Sequence, residues 1–309
     1  MSKDLDSIRN PIRTTKAYKA IAKNINYRSP KQYETTQNIA VNLASAIVLA
    51  EHSKIQGLPK SLAEKINTPA SYVFIDVARN VQKRLTPCYW LASVLAESLK
   101  ITDIPEDWSG LKPFIDRGII LFPKNTIEYS GTVGSESIDW VYFEVMTIPE
   151  KLNAHPNIVK DKEPVILWTS SSNRLSIFYG TINLKNNISN DPSAPVQARI
   201  LVEQVNKLLL NTMLVLNSKP DLLEAQESKL KGVGFGKAGK LPSTLARNPV
   251  WIGKSYSGVR EYIKHSNRLI REPREHYRRG HWARRRHGTR EKWQYKWHWI
   301  EPTLVNQNK

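Results

Sequence analysis

The chain of 309 residues contains a single cysteine, Cys88, so no disulfide can form within it. A framework of disulfides, which supports many small secreted proteins, is therefore excluded, and we expect a reducing, cytoplasmic location. Long apolar segments are also lacking. The longest run, VNLASAIVLAE (residues 41–51), is too short to span a bilayer and is typical of a core helix. The first twenty residues have no apolar stretch, so we expect neither a signal peptide nor a membrane partner.

Acidic residues are scarce relative to basic ones. The chain has 28 Asp and Glu against 46 Lys and Arg, a net charge of +18. The excess is concentrated near the end: residues 254–300 hold fourteen Lys and Arg but four Asp and Glu. Five of the seven histidines and five of the nine tryptophans lie in residues 251–300. Such a surface attracts polyanions, and its concentration favours nucleic acid or a ribonucleoprotein over a merely basic, soluble protein.

The apolar patterns predict an α+β fold, in which a small, mostly antiparallel sheet packs on a long helix. Helices are predicted at residues 35–53, 69–85, 87–100 and 195–221, the last one ended by Pro220. Residues 117–184 contain β-branched and aromatic runs bounded by Gly, Pro, Asn and Ser, which are typical of strands. We predict four segments: a basic N-terminal arm or short helix (1–34), an α+β body (35–221), a linker rich in Gly, Lys and Pro (222–249), and a basic C-terminal module (250–309).

The linker contains a literal GxGxxG pattern at Gly234–Gly239, which also has nearly the spacing of a P-loop. A dinucleotide site needs this turn between a strand and a helix, and neither flank has that pattern. A P-loop needs Ser or Thr where this chain has Leu241. We therefore predict a mobile basic loop and no cofactor.

Four histidines of the C-terminal module, His276, His281, His287 and His298, have spacings of five, six and eleven residues. These spacings match no common zinc pattern, no cysteine accompanies them, and their neighbours are cationic, so we predict no metal site. Catalysis by His281 remains an open hypothesis. Imidazole titrates near neutral pH, and nearby arginines would stabilise a phosphorane formed from RNA.

The module also contains arginines, glycines and aromatics that together favour binding to nucleic acid. Arginine binds phosphate bidentately, so we predict phosphate contacts from the residues Arg278, Arg279, Arg284, Arg285, Arg286 and Arg290. Gly280 is predicted to make a turn that projects these arginines from a compact loop, and Trp282 either to stack on a base or to anchor the loop. His281 is predicted to support this binding geometry. Alternation places Trp293, Tyr295, Trp297 and Trp299 on one strand face, most of them as core and the remainder as a base-stacking surface.

The stretch HYRRGHWARRRHG, followed by WIEPTLVN, resembles the C-terminal signature of a type V-A anti-CRISPR family with relatives on plasmids, phages and bacterial chromosomes. The signature falls on His276, Arg278, Arg279, Gly280, His281, Trp282, Gly288, Trp299, Pro302, Val305 and Asn306. Weaker similarity extends upstream, but the N-terminal hundred residues depart from the family's pattern. The resemblance implies an inhibitor that suppresses biogenesis of a target through its message, including mRNA degradation, or through its nascent chain. RNA or the ribosome, and a target protein such as a CRISPR effector nuclease, are the implied partners.

Two alternatives to this binding function remain open. One is a toxin-like ribonuclease centred on His281, which would turn over RNA in purified form. The other is a non-catalytic inhibitor whose basic loop grips an acidic partner protein, which would bind that partner tightly and RNA negligibly.

Overall fold

A computed structural model describes the following parts of the chain: residues 11–25, 30–52, 68–131, 134–147, 164–172, 176–184, 187–189, 195–225, 250–257, 275–289 and 294–306. The fold is α+β, which confirms the predicted class. The chain divides into two compact units, Met1–Tyr89 with Ala225–Val250 and Trp90–Glu224 with Trp251–Lys309. The domain boundaries expected from the sequence remain a prediction. Most of the predicted linker, with its GxGxxG pattern, lies outside the described residues.

The first unit contains three helices that pack on one another: α1 (Lys16–Ile25), α2 (Pro30–His52) and α3 (Pro69–Lys83). Helix α1, which falls within the predicted arm, buries Ala17, Ile21 and Ile25 on one face. Its lysines lie exposed on the other, so the helix is amphipathic. Thr68 caps α3 by accepting a hydrogen bond from the Ser71 amide at 3.2 Å.

The segment after α3 differs from the prediction of one helix over residues 87–100. Cys88–Leu91 forms a strand, β1, and the helix α4 runs only from Ser93 to Lys100. Tyr and Trp favour a pleated, half-buried surface, and Cys88, Tyr89 and Leu91 are buried there. Helical spacing of buried residues begins only beyond this point, at Leu95, Ala96 and Leu99.

The second unit contains most of an eight-stranded sheet. The remaining strands of the described chain are β2 (Arg117–Leu121), β3 (Ile127–Gly131), β4 (Gly134–Ile138), β5 (Trp140–Thr147), β6 (Pro164–Ser171), β7 (Ile177–Asn183), β8 (Asn187–Ser189), β9 (Leu223–Ala225), β10 (Val250–Ile252), β11 (Glu275–Arg278), β12 (His281–His287), β13 (Gln294–Ile300) and β14 (Thr303–Asn306). The sheet has the order β8-β7-β6-β5-β2-β1-β10-β9. From β8 to β2 each neighbouring pair is antiparallel, as expected. Strands β3–β4, β11–β14 and β12–β13 form three separate pairs.

The long helix predicted before Pro220 is α5 (Val196–Ser218), and it lies against strands β7 and β3 and helix α4. Its buried residues occupy nearly the whole circumference of its C-terminal half, including polar Asn206, Asn211 and Thr212. Polar side chains are tolerated on a helix that is buried on all sides when they form hydrogen bonds with other parts of the chain. Among the described residues, no helix is long and apolar enough to cross a membrane.

A tryptophan packs closely against a glycine on the neighbouring strand of the sheet. Trp168 on β6 and Gly180 on β7 are cross-strand partners, and the indole Nε1 donates to Asn206 Oδ1 at 2.7 Å. A Cβ built at Gly180 would lie 2.7 Å from the indole ring. The glycine therefore provides the space in which this fully buried indole reaches α5.

Gly180→Ala is expected to lower the free energy of unfolding by about 2 kcal/mol or more, because the methyl group displaces a buried indole. Urea unfolding of the purified protein measures this change. Gly110→Ala is the matched control: its Cβ meets nothing within 4 Å, and only its positive φ of 82° opposes the change, at about 1 kcal/mol. Equal losses in the two variants would contradict the packing role of Gly180.

Candidate nucleic-acid interface

The arginine-rich segment forms an antiparallel hairpin rather than a compact loop. Strand β12 pairs with β13 from His281↔Ile300 to His287↔Gln294. Strands β11 and β14 pair alongside, with His276 opposite Val305 and Glu275 opposite Asn306. The pairing brings together the two ends of the signature predicted from the sequence. Arg290 and Trp293 lie outside the described residues.

Cross-strand partners share a face of the hairpin, so the register separates two surfaces. One, the aromatic–arginine face, contains the pairs Trp282–Trp299, Arg284–Trp297 and Arg286–Tyr295. The other, the basic face, contains the pairs His281–Ile300, Ala283–His298, Arg285–Lys296 and His287–Gln294. The alternation predicted from the sequence is therefore present, and it also separates Arg285 from the arginines on either side of it.

Burial decreases along the aromatic–arginine face. Trp299 is 2% exposed and Trp282 is 8% exposed, whereas Tyr295 is 62% exposed. Trp297 lies between these extremes. Trp299 is a core position, and Tyr295 is one of the one or two exposed rings that the sequence led us to expect; that most of the row is core stays a prediction, since Trp293 lies outside the described residues. Helix α5 contacts β13, but the residues towards the far end of both strands are exposed, so the hairpin projects from the unit.

The buried end of the hairpin is held by the side-chain amide of Asn211 on α5. Asn211 Nδ2 donates to the carbonyl oxygens of Leu99 and Thr102, each at 3.0 Å. Its Oδ1 accepts a hydrogen bond of 2.9 Å from Trp282 Nε1. One fully buried amide therefore joins three segments: α5, the end of α4 and strand β12. This geometry favours the anchoring alternative for Trp282.

Thr102, which follows α4, extends the same network to β13. Its hydroxyl donates to the Ser98 carbonyl oxygen at 2.7 Å and accepts a hydrogen bond of 3.2 Å from Trp299 Nε1. The Trp282 and Trp299 rings stack with centroids 6.2 Å apart. Both indole N–H groups are therefore satisfied in the interior, as buried tryptophans require.

Gly280 is needed for close packing, and the turn predicted for it is not found. Its φ is not positive, and it forms a parallel bridge with Thr102, in which the Asp103 amide donates to the Gly280 carbonyl oxygen at 2.9 Å. A Cβ at this position would lie 2.3 Å from Thr102 Oγ1 and 3.0 Å from Pro302 Cδ. The Thr102 hydroxyl and the Pro302 ring therefore leave no room for a side chain at this position. Gly288, in contrast, has a φ of 112°, which favours glycine.

Three polar side chains, those of Lys219, Tyr256 and Glu301, lie close to the Trp299 ring and to one another. The Lys219 ammonium forms an ion pair with Glu301 and lies 5.3 Å from the Trp299 ring centroid. The Tyr256 ring packs against the same indole at 5.5 Å, and its hydroxyl donates to Glu301 Oε2 at 3.1 Å. Burial raises the pKa of Tyr256 well above its usual value, and the Glu301 carboxylate raises it further, so the phenol remains a donor.

The arginines differ in how firmly they are held. Arg284 donates to Asp107 Oδ2 at 3.2 Å, and its guanidinium carbon lies 5.1 Å from the Trp297 ring centroid. Arg286 Nε donates to the Tyr295 hydroxyl at 3.3 Å. Arg279 makes a longer, exposed ion pair of 3.8 Å with Asp103. Arg278 and Arg285 are exposed, and neither forms an ion pair with any residue in the ranges that the structure covers.

His281 is half-buried at the base of the basic face, opposite Ile300. Within the described ranges, no group of three or more His, Cys, Asp or Glu residues is placed to hold a metal ion. The predictions of no metal and of a non-catalytic protein remain predictions.

The hairpin and its anchor lie within a segment that matches a known family. Residues 89–307 match the AcrVA2-like family, the anti-CRISPR type V subtype A2 family. The chain belongs to this family. The resemblance found in the signature is thereby confirmed, and the match covers all the residues of the hairpin and of the network around Asn211. Helices α1 to α3 precede the matched range, in agreement with the departure of the N-terminal residues from the family's pattern.

Comparison with solved structures gives a distant likeness for this AcrVA2-like protein. A crystal structure of AcrVA2 aligns with 89% of this chain and 98% of its own, at 14% sequence identity and a TM-score of 0.40. No curated protein matches the sequence.

Sequence reasoning missed the residues that hold the signature in place. Asn211 and Thr102 lie far from the hairpin in sequence, so no local pattern connects them with it. A signal was nevertheless present: Asn211 interrupts the apolar run LLLNTMLVL within α5. An asparagine inside an apolar helix indicates a buried hydrogen-bond partner elsewhere in the chain.

Asn211→Ala is expected to lower the free energy of unfolding by about 3 kcal/mol, because it removes three buried hydrogen bonds and leaves the Trp282 indole N–H without its partner in the interior. Urea unfolding measures the loss, and near-UV circular dichroism reports the change around Trp282. Asn217→Ala is the control, since its amide donates one exposed hydrogen bond from the same helix to the Lys112 carbonyl. It should cost less than about 1 kcal/mol. A change in Asn211→Ala no larger than that of the control would contradict the anchoring role.

Proposed function

We propose that this anti-CRISPR family protein binds RNA, free or within the ribosome, through the exposed part of the β12–β13 hairpin. By also engaging a target protein or its nascent chain, it suppresses the expression of that target. The observation that carries the proposal is the aromatic–arginine face, where Arg284 and Arg286 on one strand lie opposite Trp297 and Tyr295 on the other. Guanidinium groups beside aromatic rings provide phosphate contacts and base stacking together.

The charge of the hairpin supports a polyanionic partner. Arg284, Arg285, Arg286 and Lys296 are all exposed, and no acidic residue lies within β12 or β13. The Arg284–Asp107 ion pair does not remove this charge, because each side chain is more than 40% exposed. An exposed pair contributes less than about 1 kcal/mol, so a phosphate can replace the carboxylate at little cost.

The helical unit before residue 89 is the proposed location of target recognition. It precedes the segment shared with the family, which includes the hairpin and its anchor. A shared RNA-binding segment and a divergent recognition unit would allow relatives to act on different proteins. A CRISPR effector nuclease is the partner that family membership indicates.

The triple variant Arg284→Gln, Arg285→Gln, Arg286→Gln is expected to weaken binding to single-stranded RNA at least about tenfold at physiological salt. The slope of log K against log salt should flatten by about 2, because phosphate contacts and the ions they release are lost. Fluorescence anisotropy at several salt concentrations measures both effects. In cells that express a type V-A effector nuclease, the same variant should no longer reduce the amount of that nuclease.

The control for this experiment is Lys16→Gln, Lys19→Gln, Lys23→Gln, which removes the same charge from the exposed face of α1. It should leave RNA affinity nearly unchanged. Equal losses in the two triple variants would mean that only net charge matters and would overturn the assignment to the hairpin.

RNA turnover by the purified protein that is lost in His281→Ala would support the ribonuclease alternative. Tight binding to an acidic protein with negligible RNA affinity would support the interaction alternative.

Tyr295→Ala is expected to weaken binding to single-stranded RNA about fivefold or more, whereas Tyr295→Phe retains most of the affinity, because stacking needs the ring and not the hydroxyl. Binding to double-stranded RNA, whose bases are already stacked, should change little in either variant. Anisotropy with the two kinds of RNA measures this difference. Phe114→Ala, at another exposed aromatic (52% exposed), is the control and should bind as the unchanged protein does. Equal effects on single and double strands would contradict stacking on Tyr295.

A further inference from the structure

The basic face of the β12–β13 hairpin is a second exposed surface, and its charges lack the partners found on the aromatic–arginine face. Arg285 and Lys296 lie directly opposite each other on this face. Both side chains are exposed, and neither forms an ion pair or a hydrogen bond with a residue that the structure describes. On the aromatic–arginine face, in contrast, Arg284 has the Asp107 carboxylate as a partner.

The pairing of Arg285 with Lys296 opposes folding of the hairpin. Residues directly opposite each other on an antiparallel strand pair have Cβ atoms about 5 Å apart, and like charges in that position are destabilising. Neither β12 nor β13 contains an acidic residue that would offset the repulsion. Opposite charges at these two positions would stabilise the same hairpin. The arrangement is explained if an anion binds between the two cations.

The surroundings of this pair suit a chain of phosphates better than one small anion. His298 lies on one side of the pair along the strands, and His287 and Gln294 lie on the other. All three side chains are exposed and carry N–H donors. Four residues at about 3.3 Å each separate the two ends of this row, so the donors extend over about 13 Å of strand. Every residue of the basic face is at least partly exposed, which leaves the row accessible to a large partner.

The hairpin therefore presents cations on both sides of a thin ribbon. Arg284 and Arg286 lie on one side, and Arg285 and Lys296 lie on the other. One RNA strand can lie against only one of these sides, whereas an RNA in which a single strand adjoins a duplex can place phosphates on both. The rings of the aromatic–arginine face suit unpaired bases, because stacking needs a free base surface. The basic face, which has no tyrosine or tryptophan, suits a duplex, which proteins bind mainly through its shape and backbone.

We propose that the basic face binds the phosphates of duplex RNA, so that the hairpin as a whole binds the junction between a single-stranded segment and a duplex. Unpaired bases stack on the aromatic–arginine face, and a phosphate of the adjoining duplex lies between Arg285 and Lys296, where it relieves their repulsion. The inference rests on the proposed RNA binding by the hairpin, and it names the class of RNA that the hairpin binds.

Two double variants that remove the same charge from opposite faces test this assignment. Fluorescence anisotropy is measured with a single strand, a blunt duplex and a duplex with a single-stranded tail. Arg285→Gln, Lys296→Gln should weaken binding to the blunt duplex about tenfold or more and binding to the single strand less than about twofold, because only the duplex uses the basic face. Arg284→Gln, Arg286→Gln is the matched control and should show the opposite preference.

The tailed duplex should bind at least about tenfold more tightly than either of its parts, because its two segments contact the two faces at the same time. Each double variant should remove most of this advantage. A tailed duplex that binds no more tightly than the better of its parts would contradict binding of the junction.

Lys296→Glu distinguishes a binding role from a structural one. The change replaces a like-charge pair with an opposite-charge pair, so the urea midpoint of unfolding should rise. Binding to the blunt duplex should nevertheless weaken about tenfold or more, because a phosphate contact is lost and a repulsive charge is added. A fall in both stability and binding would mean that Lys296 acts through the fold, which would contradict the proposal.

The proposal is wrong if Arg285→Gln, Lys296→Gln binds all three RNAs as the unchanged protein does, or if it loses as much affinity for the single strand as for the duplex. Binding of polyglutamate as tight as that of the duplex, and equally weakened in this variant, would identify an acidic protein as the partner of the basic face and would also overturn it. Failure of the proposed function has a different result: single-strand binding is then absent, or it persists in Arg284→Gln, Arg286→Gln.

Discussion

The hydrogen bonds of the Asn211 amide are the constraint on which the C-terminal half of the structure depends. A single buried side chain donates to one carbonyl oxygen in the last turn of α4 and one just beyond it, and accepts from the indole of Trp282, so the base of the hairpin is fixed relative to the long helix. An apolar side chain in its place would pack but would specify no orientation. Thr102 repeats this arrangement for Trp299. Together the two residues place two stacked tryptophans at the base of a strand pair whose far end is exposed.

The hairpin must be anchored in the fold and must also expose its arginines. The residues for these two requirements are interleaved in the sequence, and the structure separates them. Within β12 the residues alternate, so Trp282 faces the interior while the arginines beyond it on the same face are exposed. The missing side chain of Gly280 allows the Thr102 hydroxyl and the Pro302 ring to pack against its backbone at the base of the hairpin. The aromatic and glycine positions of the signature therefore account for its placement on the fold, whereas the arginines are available for a partner. A segment that must satisfy both requirements tolerates few residue types at each position, which explains why it was recognisable from sequence.

The sequence predicted local features well and long-range contacts poorly. Helix α5, its end at Pro220 and the alternation of β13 follow from periodicity and from the chemistry of proline, which are local properties. The strand β1 was missed because its few residues merge with the apolar pattern of α4. The role of Gly280 could not be seen, since its cause is the hydroxyl of Thr102, which is remote in sequence. The exposure of Tyr295 likewise depends on how far the hairpin extends beyond α5, and strand alternation cannot reveal this.

The differing restraint on neighbouring arginines has a consequence for binding. Arg284 is held between the Asp107 carboxylate and the Trp297 ring, so part of the conformational entropy of its side chain is lost before any partner arrives. Arg285, on the opposite face, has no such restraint among the described residues and must lose that entropy on binding. The restraint on Arg284 also requires that strand β12 be held in place. Asn211 and the stacked tryptophans fix the base of that strand, so the guanidinium is preorganised together with it. In the proposed RNA binding, the buried hydrogen bonds and the exposed charge are therefore coupled: the hydrogen bonds of Asn211 and Thr102 add no contact to the RNA, yet they would lower the entropic cost of the contacts that the hairpin makes with it.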